Sequence, residues 1–506
     1  MTLLDPSPGA DAQCHTHAVH RLCATLGLLL LGCSHPTPTN THEPEASAAQ
    51  RAWHYTAKID PARTEIDVKL CFEGPPGRRL VASNSRAADY IEKVHHGSRR
   101  IPRTGRTFSL EGVNPGDCIG YVVDLEGMSK AEGFSRHVRT EGESILLRQS
   151  MWMWHPRGLP EDVGVTVTLE LPEGMEASVP WTTMPGEDRS ARTCRYQLDS
   201  TVFGWIGYNA FGDLGLQRFE AGGAQIEIAT LDVPMHATEA GLRAWATDAV
   251  EASAELYGRF PREHLQMLVL PVDGSGSGSV YFGMAGRGGG AGVYILMDDR
   301  AEDEALLGGW TTTHELLHHG MPFVEDAWMA EGWVSYYTEL QRTRIGHRDE
   351  RDGWQKLYEA FGRGRRTRRS GTLREVSEHM HENFGYQRVY WGGAAVAFAI
   401  DVALREDSGG EKSLDDAMRF LRECCGEATH KWEAAVLLAK LDDWYGKPLF
   451  SETANAILAQ EGFPDVEATF DALGVETFSG RVELDDTHPM AAQRRAIMAP
   501  REGARG

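Results

Sequence analysis

The stretch from Thr311 to Tyr337, TTTHELLHHGMPFVEDAWMAEGWVSYY, holds side chains whose types and spacing can do chemistry. His314 and His318 are four residues apart, which on a helix puts both imidazoles on one face, one above the other. That spacing suits two nitrogen ligands to one zinc ion at about 2.0–2.1 Å. Glu315 lies about 100° round the helix from His314. There it can reach a metal-activated water without ligating the metal, the position a general base requires.

Glu331 follows thirteen residues after His318. Gly320 reads as a C′ residue and Pro322 as a stop, so the first helix ends and the chain turns. Asp326 reads as the N-cap of a second helix, AWMAEGWVSYYTELQRTRIG, whose second turn presents Glu331 toward the histidines. Two His and one Glu with a fourth position open for water make the ligand set of a catalytic rather than a structural zinc site. HExxH alone does not decide the matter. With 20 His in 506 residues, it is expected by chance in about one such chain in fifteen. The glutamate on a following helix and its AEGWVSYY surroundings carry the rest. His319 points about 100° away from His318 and reads as a supporting or surface residue. His379 and His381, two residues apart, do not match a helical metal face.

These residues resemble the gluzincin metallopeptidases, in particular the branch of aminopeptidase N, leukotriene hydrolase and the glycyl aminopeptidases, whose members carry HExxH and then a helix with an EG dipeptide and nearby tyrosines. The resemblance implies that His314, His318 and Glu331 are zinc ligands and Glu315 the base. A second match, RVYWGGAAVAFAI, is similar to the segment in which a tyrosine precedes a Gly-Ala run at a helix start, and it lies 59 residues after Glu331. By that likeness Tyr390 is the oxyanion donor, a role a phenol can fill, with Tyr386 one turn earlier as a second candidate. Two departures stand out. The gap between His318 and Glu331 is shorter than is usual in that branch. Where aminopeptidase N relatives carry a GxMEN glutamate that holds the substrate's free amine, this chain has FGMAGRGGG, with Ala285 at that place.

The elements that must position these groups follow from periodicity. From about Trp53 to Glu220 the pattern alternates: Ile66, Val68, Leu70 and Phe72 interleave with polar positions, and Val163, Val165, Val167 and Leu169 repeat this downstream. EGPPGRR, VNPGD and LPEGM punctuate the runs. After Gly222, AQIEIATLDV and HLQMLVLPV read as strands flanking a helix, Glu239 to Tyr257, N-capped by Thr238 and stopped at Gly258. The glycine-rich run 274–299 reads as two short strands, and helices dominate from Glu302 onward. The expected architecture is multidomain α+β: a β-rich N-terminal domain at 53–220, a thermolysin-like zinc catalytic domain at 221–405 and an α-helical C-terminal region at 406–495.

The N-terminus carries an export signal. One basic residue, Arg21, precedes the apolar run Leu26–Leu31, which is too short to span a bilayer. Leu30, Leu31, Gly32 and Cys33 resemble a bacterial lipobox, implying a signal peptide over 1–33 and lipidation of Cys33. Residues 34–52, rich in Pro, Thr, Ser and Ala, read as a flexible tether. Ser34 in place of an aspartate favours the outer membrane of the cell envelope. Five cysteines follow, and with an odd number the pairing stays open, Cys71 with Cys118 being one candidate. A formal charge of −22 disfavours nucleic acid, whose binding needs clustered cations. The reading is therefore a zinc peptidase with a peptide or protein substrate, membrane-attached through Cys33. Peptide capture without turnover and hydrolysis of a non-peptide remain as alternatives.

Overall fold

The computed structural model describes residues 51–132, 137–159, 163–274, 279–367 and 370–500. The export signal, Cys33 and all but the last two residues of the tether lie outside them. Alternation builds the N-terminal half. In the strand Glu65–Glu73, Ile66, Val68, Leu70 and Phe72 are buried while Asp67 and Lys69 are exposed, as a sheet covered on one face demands. This strand lies between Ala52–Ile59 and Cys118–Asp124 in an eight-stranded sheet, and two four-stranded sheets complete the region. Cys71 and Cys118 stand opposite one another in register and form a disulfide; Cys424 and Cys425 form a second, and Cys194 is free and buried.

A five-stranded sheet follows. Its strands are β1 (Gln217–Ala221), β2 (Ala224–Thr230), β3 (His264–Val272), β4 (Val280–Gly286) and β5 (Ala291–Asp298), in spatial order β1-β2-β3-β5-β4. β2, β3 and β5 run parallel, and β1 and β4 are antiparallel edges. β3 is apolar along almost its whole length, being covered on both faces. The sheet begins at Gln217, because β1 pairs with β2 as a hairpin across the position where composition alone changes. α1 (Glu239–Tyr257) has the expected ends: Thr238 accepts from Gly241 N–H at 3.0 Å, and Gly258 adopts a left-handed φ of 83°.

The C-terminal half is largely helical. α2 (Trp310–Leu317), α3 (Ala327–Arg344) and α4 (Tyr386–Asp407) carry the residues of interest. Among the described residues no helix is long and apolar enough to cross a membrane. α3 and α4 cross at Gly332 and Gly393 so closely that a Cβ on Gly393 would lie 1.8 Å from the Trp328 carbonyl oxygen, and one on Gly332 would lie 2.4 Å from the Gly393 backbone. No side chain fits there. Below the crossing, Tyr336 donates to Asp401 (2.9 Å), which also accepts from Arg405, and Tyr337 donates to Asp415 (2.9 Å), which is paired with Arg344. These buried charges are satisfied by several partners each, the condition under which burial of charge is tolerated.

A test of the crossing is Gly393→Ala. In an ordinary helix interior, alanine is better than glycine by about 1 kcal/mol. Here overpacking, on the order of 1–3 kcal/mol, is expected to reverse that sign. Thermal unfolding should show a lowered Tm, and metal analysis a lowered zinc content.

Candidate active site

α2 delivers both histidines. His314 sits in its last turn, and His318, one residue past its end, keeps helical backbone angles (φ −58°, ψ −26°), so the four-residue offset holds. The turn that follows differs from expectation. Gly320 does not take a left-handed conformation; it is required because a Cβ there would lie 2.1 Å from the Tyr257 ring of α1. Asp326 does occupy the N-cap of α3, yet its side chain accepts from Ala434 N–H at 2.7 Å rather than from its own helix. The loop is thereby tied to the C-terminal helices.

The turn and the helix crossing bring Glu331 to the histidines. Glu331 Oε2 lies 3.1 Å from His314 Nε2 and 3.4 Å from His318 Nε2, and the two Nε2 atoms are 3.2 Å apart. Ligands at 2.0–2.1 Å in tetrahedral array are about 3.3–3.4 Å from one another, so this triangle has the dimensions of a zinc face. Thr338, whose hydroxyl donates to the Val334 carbonyl (2.7 Å), has its oxygen 3.4 Å from His314 Nδ1, on the side of the ring away from Glu331. Among the described residues these three form the one group of metal-capable ligands, a single candidate metal site.

The electrostatics of the cluster follow from burial and mutual charge. Burial opposes ionisation of both partners, but their attraction wins. The His318 imidazole is raised above its ordinary pKa by Glu331, and the Glu331 carboxyl is held well below the usual range by His318 and His314. Burial first, and then the Glu331 and Glu315 carboxylates, raise the Tyr390 phenol well above its ordinary value. It stays protonated and able to donate. Its ring lies parallel to the His314 ring, with centroids 5.7 Å apart.

Glu315 faces the edge strand β4. Its Oε2 accepts from Ala285 N–H at 2.8 Å, and the strand comes close because residue 283 is glycine: a Cβ there would lie 2.6 Å from Glu315 Cγ and 2.9 Å from Thr311 Cγ2. Ala285 thus sits on the strand segment that faces Glu315 and brings no carboxylate to it.

Of the other histidines, His319 is buried rather than at the surface, edge-on to Phe260. Burial and the nearby Arg287 and Arg262 keep it neutral, with a pKa well below the ordinary value. His379 pairs with Glu382 at the surface, and His381 Nδ1 contacts the Tyr386 hydroxyl at 3.1 Å. Tyr386 is engaged there.

Three contributors escape a reading of the sequence. Trp310 stacks on His314 at 4.4 Å between centroids, Thr338 orients it, and Arg287 clamps the metal-site turn. Arg287, in the glycine-rich run after β4, is buried and donates to the carbonyl oxygens of His318 (2.5 Å) and Met321 (3.0 Å). The His318 carbonyl is one that a helix C-terminus leaves without a partner, and that of Met321 belongs to the turn that follows. Burial and Arg262 lower its pKa to about 10. A lone cation among FGMAGRGGG was the only signal available.

No protein-family model matches the chain, and no curated protein does. Solved structures match its fold. An aminopeptidase N family protein from Idiomarina loihiensis superposes with a TM-score of 0.64 at 15% identity, covering 84% of this chain and 78% of that one. A variant M1 zinc metallopeptidase from Deinococcus radiodurans, bound to a Tyr-Ser-Ala substrate, gives 0.51 at 14%, covering 82% and 95%. Native yeast LTA4 hydrolase gives 0.50 at 12%, covering 84% and 71%. The chain therefore has the fold of the M1, gluzincin-type zinc metallopeptidases: β-rich N-terminal sheets followed by a largely helical half. Its His-x3-His and downstream Glu form a candidate zinc triad within that fold.

The close approach of β4 predicts the effect of Gly283→Ala. The new methyl should push Glu315 from the Ala285 amide and, with Glu315 as the expected base, lower kcat at least about tenfold. Metal content should be unchanged, because none of the three candidate ligands is among the nearest neighbours of residue 283.

Proposed function

We propose that the protein is a zinc-dependent peptidase, lipid-anchored at Cys33 in the bacterial cell envelope, in which residues 221–405 act as a thermolysin-like catalytic domain between the β-rich 53–220 and the helical 406–495. The observation that carries this reading is the triangle of His314, His318 and Glu331 atoms, 3.1–3.4 Å on each side, with Glu315 fixed beside it by a strand amide.

In this reading His314, His318 and Glu331 hold the ion. Zinc, when bound, supplies Lewis acidity and a lowered water pKa. Glu315 removes the proton from the attacking water and delivers it to the leaving amine. Ala285 N–H keeps one carboxylate oxygen of Glu315 occupied, which orients the other toward the cleft. Tyr390, kept protonated by its buried, carboxylate-flanked setting, donates to the developing oxyanion of the substrate. The edge strand β4 offers backbone groups to an extended peptide.

A specific observation shapes substrate choice. Ala285 replaces the carboxylate that would hold a free α-amine, so recognition need not involve the peptide's N-terminus. Internal cleavage or cleavage of blocked ends is favoured over strict aminopeptidase action.

Digestion of a peptide library with and without chelator tests the activity; capture of peptides without cleavage would replace the peptidase reading with a binding protein. Glu315→Gln is expected to retain zinc and lose hydrolysis by about 10²–10⁴-fold, and full activity in that variant would refute the assigned base. His318→Ala should instead lose zinc. For the second point, N-acetylated peptides should be cut with kcat/KM within roughly tenfold of their free-amine forms. A loss of several orders of magnitude on acetylation would show that another group takes the amine, since a buried site deprived of a charged partner discriminates that strongly.

A further inference from the structure

The chain carries a formal charge of −22, yet between Arg78 and Arg106 eight Lys or Arg residues accompany only two carboxylates, Asp89 and Glu92. The fold gathers part of this excess at one end of the eight-stranded sheet. Register places Ala52 opposite Glu73, Cys71 opposite Cys118, and Ile119 opposite His96. The turn 97–98, the loop 112–117, Gly74 and the start of the first strand therefore lie at the same end. Hydrogen bonds connect the basic residues across it: Leu110 N–H donates to the Arg78 carbonyl, Arg99 donates to the Glu111 carbonyl at 2.9 Å, and Arg157 N–H donates to the Arg79 carbonyl.

Arg78, Arg79, Arg99, Arg100 and Arg157 are all exposed. Among the described residues none of Arg78, Arg99 and Arg100 makes an ion pair. Among the described residues the carboxylate residues of this end are Glu73, Glu111, Asp117 and, by its register with Gly164, Asp199, and Glu73 and Asp117 are contacted by His54 and His96, each at 3.2 Å. Five exposed arginines thus stand against four carboxylates, two of them already contacted by histidines, on a protein that is acidic as a whole.

The chain enters the fold at this same end. Arg51 packs on Gly74, its Cγ 3.1 Å from where a Cβ would stand, four residues before Arg78. We infer that this arginine-rich end of the N-terminal sheet is the face on which the folded body rests against anionic lipid headgroups of the membrane. The inference uses the proposed Cys33 anchor only for the direction in which the membrane lies. At physiological salt the Debye length is about 8 Å, so a surface touching this end senses the local arginines and little of the acidic remainder. Headgroup phosphates are matched by guanidinium forks. A duplex nucleic acid would have to lie along a longer cationic track than this end provides.

The test uses the full chain carrying Cys33→Ser and made without acylation, so that no lipid contributes to binding. It is mixed with vesicles of phosphatidylcholine alone or with added phosphatidylglycerol, and sedimented. Binding to the anionic vesicles only, falling as salt rises, is expected. Arg99→Glu with Arg100→Glu should weaken it roughly tenfold or more, with zinc content and peptide hydrolysis unchanged; Arg78→Glu, on a separate loop, repeats the test. Equal binding to both vesicles, binding indifferent to charge reversal, or binding of duplex DNA in place of vesicles would overturn the proposal. Mass spectrometry of the unmodified chain tests the anchor separately. Missing acylation with vesicle binding intact sinks the anchor alone; acylation without anionic-vesicle binding sinks this face alone.

Discussion

The contact between Gly332 and Gly393 is the constraint on which the site depends. Two helices that would normally sit 8–10 Å apart approach until backbone touches backbone, and each bears a candidate site residue next to the contact: Glu331 immediately before Gly332, Tyr390 one turn before Gly393. A methyl group at either glycine would force the helices apart. The price of such closeness is two flexible glycines in helix interiors, offset by the ionic network below. There Tyr336, Tyr337, Asp401, Asp415, Arg344 and Arg405 link α3 and α4 to the helix that follows them.

The histidines are held from the other side. α2 is short and its C-terminal carbonyls face the protein interior, where an unpaired acceptor is costly. Arg287 answers that need from the far end of the glycine-rich strand, and the same strand, through Ala285 N–H, fixes Glu315. The strand and the residue that follows it thus set both the turn carrying His318 and the Glu315 carboxylate next to it. This accounts for why glycine recurs in that strand: Gly283 lets the backbone reach the base, and a bulkier residue would hold the two apart.

Charge is distributed to match. Glu315 and Glu331 are the carboxylates at the candidate site, and β4 adds none beside them. Arginines collect at the sheet end where the chain enters, far along the sequence from the metal site. A protein of strongly negative charge thus carries a local cluster of arginines at that end.

The sequence by itself determined what is local. HExxH on a helix fixes two nitrogens on one face through i,i+4 geometry, alternation fixes the N-terminal strands, and Thr238 with Gly258 fixes the ends of α1, since each needs only neighbouring residues. The β-rich start and helical end were legible for the same reason. Tyr390 was reached only through a family likeness; nothing in its own neighbourhood marks it out. The tertiary structure decided what depends on distant partners. Gly320, legible as a helix stop, is instead dictated by a ring on α1, and Asp326 reaches a helix a hundred residues on. Thr338 lies against Nδ1 of His314, Trp310 backs it, and Arg287 caps its helix. Sequence spacing specifies how side chains leave one helix. Only packing between helices and the edge strand specifies that three of them, His314, His318 and Glu331, meet around a volume the size of one ion.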